Sequence, residues 1–391
     1  MISEKQKLKD FCVKITKGTT PSTYGFPFVE SGINYIKAES ILEGGGILPN
    51  TFAFVDEATH EYLKRSILCS KDILISIAGA KLGKCGFLTE QYLPANTNQA
   101  VGIVRVNHER VDPKFIYYNF VSAHTYQIIN SLNSQAAQPN LNLGQLGELE
   151  FLIPSLPTQR KIASILSAYD DLIENNLKRI KLLEEQAFLK YKGILTTERL
   201  EKISVFDYAH IMSGGTPSTT NPNFWEGEIP FFTPKDLSSQ SSYYLNDTER
   251  KLTELGLEKC NSKLFPRDTI FITARGTVGK LVLSKIPSAI SQSNYAITTR
   301  NGSSNYFLFL ALIDKVNHFK QLAVGGVFDT IIVDTFKMIF IEIPSKRIID
   351  QFNIDIKPIF QLIDTLQKQN TKLREARDIL LPKLMNGQIE V

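Results

Sequence analysis

Two similar stretches end in glycine–lysine, "GAKLGK" (79–84) and "RGTVGK" (275–280). A phosphate-binding loop needs four residues between its glycines and a hydroxyl after the lysine. These have fewer, and Cys85 and Leu281 follow the lysines. "NPNF" (221–224) lacks the second proline of an Asn-Pro-Pro-aromatic methyltransferase loop, and no glycine-rich cofactor loop precedes it. His60, His108, His124, His210 and His318 form neither an HExxH pattern nor a cluster. Cys12, Cys69, Cys85 and Cys260 are too scattered for a metal site and read as reduced thiols in a cytoplasmic chain. Asp170 and Asp171 read as the solvated face of a helix. No catalytic centre, cofactor or metal is expected.

The remaining polar residues offer binding chemistry. "GTTPST" (18–23) returns as "GGTPST" (214–219). Glycine lets backbone approach a ligand, and proline stiffens the next step. Thr19, Thr20, Ser22, Thr216 and Ser218 carry short hydroxyls of the kind that bond phosphate oxygens. Lys84 and Lys280 are candidate phosphate contacts. Arginine suits guanine edges and amides suit adenine, and Arg275, Lys81 at the corresponding loop, Asn98, Gln99, Gln138, Gln292 and Asn294 are the candidate base readers.

The elements that position these residues are written twice. Gly214 against Gly18 gives an offset of 196, which also aligns 33–41 with 229–237 and 71–84 with 267–280. That alignment sets Asp72 on Asp268, Gly83 on Gly279 and Lys84 on Lys280. The offset falls to 190 when "LGELEFLIPS" (146–155) meets "FKMIFIEIPS" (336–345). A repeat this long is an internal duplication and not a solenoid. Each copy reads as an α+β unit, with strands at "DILISIA", "DTIFITA", "LEFLIP" and "MIFIEIP" and one helix over 112–132 or 304–323. The expected parts are globular domains at 1–154 and 196–344, a spacer helix at 155–195, and a second helix with a tail at 345–391.

The helical segments show a heptad seam. Leu166, Ile173, Ile180 and Ala187 interleave with Tyr169, Asn176 and Leu183 in the first. Ile356, Ile363 and Asn370 interleave with Ile359, Leu366, Leu373 and Leu380 in the second. Their order along the chain calls for two long antiparallel coiled-coil helices, on the order of 50 Å each at about 1.5 Å per residue. They would separate two similar strand-rich domains with pseudo-two-fold symmetry. DNA repeats about every 34 Å, so two divergent heads at fixed spacing suit an asymmetric pair of short elements.

"GGTPSTTNPNFWEGEIPFFTPKDL" (214–237) and "IPSLPTQRKIASILSAYDDLIENNLKRIKLLEEQ" (153–186) resemble the specificity subunit of type I restriction-modification systems. The resemblance covers nearly the whole chain, in the order domain, helix, domain, helix. It implies a non-catalytic subunit that binds a bipartite target in double-stranded DNA. It also implies methyltransferase subunits docked on the helices, with restriction subunits joining them. A specificity subunit of a methyltransferase-only system is an alternative, as is a DNA methyltransferase in its own right. Copy one lacks the tryptophan of copy two, and "IPSKRIIDQF" lacks the proline–glutamine pattern of "LPTQRKIASIL". The net charge of +4 is too mild to argue for nucleic acid by itself. No stretch of about twenty apolar residues predicts a membrane span.

Overall fold

The computed structural model describes residues 4–79, 81–132, 140–239, 242–300, 302–324 and 330–391. The chain condenses into two units, Met1–Ile173 with Thr371–Val391, and Glu174–Asn370. Each unit thus recruits part of both long helices, Leu156–Thr197 and Lys346–Met385.

In unit one, four antiparallel strands lie in the order Cys12–Lys17, Val101–Val106, Ile73–Ser76, Cys85–Phe87. A second sheet sets Ile33–Ile36 between Ala53–Val55, antiparallel, and Ala95–Thr97, parallel. Glu4–Lys7 pairs with Glu150–Ile153, the strand that the proline of "LEFLIP" ends. Apolar β-branched runs such as Ile73–Ser76 are buried along their whole length and form the centre of the sheet.

Unit two repeats the plan. Its main sheet runs Ala209–Ser213, Asn294–Thr299, Ile270–Thr273, Leu281–Ser284, with Tyr244–Leu245 added at the edge. Trp225–Phe232 lies between Arg250–Leu252, antiparallel, and Ala289–Ile290, parallel. Glu201–Ser204 pairs with Phe340–Ile343.

The repeat register needs a correction. Lys71 and Asp268 both adopt left-handed backbone, at φ 69° and 62°. Their N–H groups donate to Leu88 at 2.8 Å and Ser284 at 2.7 Å. Asp268 therefore stands in the place of Lys71, and the partner of Asp72 is Thr269. The lysine turn of copy two is one residue shorter: Lys84 N donates to Ser76 Oγ, whereas Lys280 N donates to Thr273 Oγ1, both at 2.9 Å. Asp72 and Asp268 accordingly do different work. Asp72 accepts two N–H bonds from Arg105 at 2.7 Å, and Asp268 accepts the hydroxyls of Tyr244 and Tyr306 at 3.2 Å.

The single helix expected in each copy is two. Pro113–Val121 stops at Ser122, whose extended backbone lets its hydroxyl cap Ala123–Ser131 through Thr125 N. Asn305–Asp314 stops at Lys315 before Val316–Val324. Helical periodicity survives such a break, which hides it from pattern reading.

In unit one the long-helix segments run antiparallel. Asp170 meets Arg377 at 2.7 Å, while Leu166 shares a core with Leu381 and Leu384. In unit two Asn176 donates to Asn370 at 2.9 Å and Gln369 at 3.1 Å. Farther along, Glu184 accepts from Tyr243 N, and the Tyr243 ring stacks on Phe360. Leu166, Ile173, Asn176, Ile180, Ile363, Leu366 and Asn370 are buried, and Tyr169, Leu183, Ile359 and Leu373 are half-buried.

Candidate nucleic-acid interface

In unit one the repeated turn is clasped by the chain itself. Gly18 N donates to Val101 O at 3.1 Å and Thr19 N to Thr97 O at 3.0 Å. A methyl group at Gly18 would lie 2.1 Å from Thr97 O, so a side chain has no room. The close approach that glycine permits is thus to the 96–100 turn, not to a ligand. Thr20 Oγ1 donates to Gln99 Oε1, joining the two stretches by side chains. Arg65 donates to Thr19 Oγ1 at 3.1 Å. Ser22 is exposed in the 3-10 turn Pro21–Tyr24, which Gly25 closes with φ 81°. Asn98 Oδ1 is buried without a hydrogen-bond partner, while Gln99 is exposed.

Unit two builds the same frame with other side chains. Gly214 N donates to Asn294 O at 3.2 Å and Gly215 N to Ile290 O at 3.1 Å. The Thr216 hydroxyl accepts from Gln292 N at 3.3 Å. The Ser218 and Thr220 hydroxyls are 2.9 Å apart, and Trp225 Nε1 donates to Ser218 O at 3.0 Å. Arg250 lays its guanidinium carbon 3.5 Å from the centre of the Trp225 ring. Asn294 is fully buried, its amide donating to Phe232 O at 3.0 Å and Ser291 Oγ at 3.1 Å. It braces the turn from inside, and its Oδ1, though without a hydrogen-bond partner, is buried out of reach of a base.

The lysines separate from these turns. Lys81 pairs with Glu43. Lys84 donates to Ala38 O at 2.6 Å, and burial draws its pKa below the usual lysine value. Burial also lowers Lys280, opposed by Glu184 and reinforced by Lys320. Lys84 is thus held by the fold, whereas Lys81 is exposed in a surface ion pair and Lys280 is half-buried. Arg275 is exposed. Gln138 lies outside the described residues. A cleft of about 1190 Å³ in unit one is bordered by 119–126, 148–152 and 377–386, and no residue of the two turns lines it.

The structure thus gathers Thr19, Thr20 and Gln99 in one unit, and Thr216 and Gln292 in the other. Arg65 joins the first group through Thr19, Arg250 reaches the second turn through Trp225 and Ser218, and the sequence analysis missed both. Arg65 lies in "EYLKRS" and Arg250 in "DTERKL", runs that read as solvated surface until their neighbours in space are known. Among the described residues no three His, Cys, Asp or Glu side chains are grouped to hold a metal, and no helix is long and apolar enough to cross a membrane.

Two α+β modules of one topology, each presenting a paired-turn surface and each continued by a long helix, define a duplicated recognition protein. The chain belongs to the family of the type I restriction modification DNA specificity domain, which matches it twice, over residues 3–185 and 198–377. It is 24% identical over 367 residues to the type I restriction enzyme HindI specificity subunit of Haemophilus influenzae, covering 73% of this chain and 80% of that one. To the MjaIX specificity subunit of Methanocaldococcus jannaschii it is 29% identical over 171 residues, 43% of this chain and 40% of that one. The chain thus spans less than half of this second relative. In fold it is similar to the S subunit of a type I restriction-modification system from M. genitalium, with TM-score 0.58 and 17% identity over 98% of this chain and 96% of that one.

Proposed function

We propose that the chain is a non-catalytic subunit that gives a restriction-modification complex its DNA sequence specificity. Each unit reads one half of an asymmetric bipartite target in double-stranded DNA. Adenine-methylating subunits dock on the long helices, restriction subunits join them, and the assembly works in the cytoplasm. One observation carries the reading: both units hold the same pair of turns in the same backbone frame and dress it with different side chains. A shared frame with divergent hydroxyls, amides and arginines is what two related readers of two different base sequences require. Exposed Ile165, Leu172, Leu182 and Leu189 leave apolar surface on the first long helix, which suits a docked partner.

Salt titration of the full-length chain on random-sequence duplex DNA tests the DNA part. Neutralised phosphates release counterions, so log affinity should fall with log salt at a slope steeper than about −3. A flat dependence, or no binding at low salt, contradicts the reading.

A further inference from the structure

The repeated turns differ in how an arginine reaches them. In unit one, Arg65 is exposed, gives one N–H to Thr19 Oγ1 at 3.1 Å, and makes no ion pair among the described residues. In unit two that arrangement is closed off. Gly215 stands where Thr19 does, and a methyl group there would meet Asn261 N at 2.5 Å. The arginine comes instead from the strand Arg250–Leu252 and lies flat on Trp225, whose indole N–H holds Ser218 O. Other arginines are consumed by the fold: Arg105 by Asp72, Arg267 by Asp364, Arg377 by Asp170. Arg275 is exposed, but among the described residues no hydrogen bond or ring contact fixes it.

We propose that Arg65 and Arg250 are the guanine-reading side chains, one in each unit. The assignment rests on the DNA-specificity reading above. A guanidinium is a planar fork that matches the O6 and N7 acceptors of guanine with two N–H bonds. Held at one edge by Thr19, or by its face on Trp225, it keeps the remaining N–H groups free and loses less freedom on binding. Because the two arginines enter from a 3-10 turn and from a strand, they meet the duplex at different places in their half-sites. That difference contributes to the asymmetry of the target.

The test is enrichment of a randomised duplex pool by the full-length chain, comparing wild type with Arg65→Ala, Arg65→Lys, Arg250→Ala and Arg250→Lys. The wild type should select a two-part sequence with a guanine preference in each part. Each Arg65 variant should lose about 10-fold preference for one guanine in one part only, and each Arg250 variant the same in the other part. The lysine variants keep the charge and lose the fork, so they should lose the guanine while retaining the salt slope. A purely structural role would lower the unfolding temperature and erase the whole half read by that unit, not one guanine within it. That result overturns the assignment, as does a two-part sequence that survives the substitutions. A wild-type chain that selects nothing contradicts the functional reading itself, and the assignment falls with it.

Discussion

A methyl group at Gly214 would sit 2.2 Å from Ser291 O, and one at Gly18 2.1 Å from Thr97 O. Neither carbonyl can retreat cheaply, because each belongs to the turn that completes the candidate interface. Gly18→Ala and Gly214→Ala should each cost about 1–3 kcal/mol, with the affected turn displaced. Gly193 is the contrast: it is exposed in the first long helix, and an added methyl meets nothing within 4 Å. Gly193→Ala should stabilise by about 0.5–1 kcal/mol. Urea unfolding of the three variants checks all of this, and equal effects at the three positions would contradict it. At this scale the sequence marked the turns by their repetition, but it misdirected the reason for their glycines. Only the fold shows what lies opposite Gly18. Asn294 was legible as an amide and not as a buried one, because its burial depends on Phe232, far away in sequence.

At the scale of the element, the second long helix is fixed to unit two by a buried charge. Asp364 is 8% exposed and faces Lys285, which is 6% exposed, with Arg267 at 3.2 Å and Lys368 at 3.3 Å. Burial by itself would raise the Asp364 carboxyl, but Lys285 and Lys368 outweigh it and hold the pKa below the usual aspartate value. A lowered carboxylate pKa stabilises the fold above the unfolded value of about 3.9, and that stability is lost as pH falls through the folded value. Asp364→Asn leaves Lys285 buried without its counter-charge and should cost about 3–5 kcal/mol at pH 7. The deficit should shrink as pH falls from about 4 to the lower folded value, through which the wild type loses its own ion pair. A deficit independent of pH would contradict the anchor. The helix seam was legible from its heptads, and Asn176 and Asn370 do meet. The anchor was not, since Lys285 and Asp364 are joined by tertiary folding alone. Nor was the break at Ser122, because a cap needs only one residue of extended backbone.

At the scale of the whole molecule, duplication was the most legible property. Shared offsets survive divergence because strands and turns keep their lengths even when few identities remain. The slip between 71–76 and 268–273 shows the limit of that reading: one residue lost from a turn moved Asp268 onto the place of Lys71. Which turns come together in each unit was not legible, since 18–23 and 96–100 meet only through sheet pairing.

The most direct test of the central claim exchanges residues 1–150 for the corresponding part of a relative with another target, then determines the DNA sequence the chimera selects. Independent recognition by two homologous units predicts that one half of the selected sequence changes and the other stays. A chimera that keeps the parental sequence throughout, or changes both halves together, would contradict the claim.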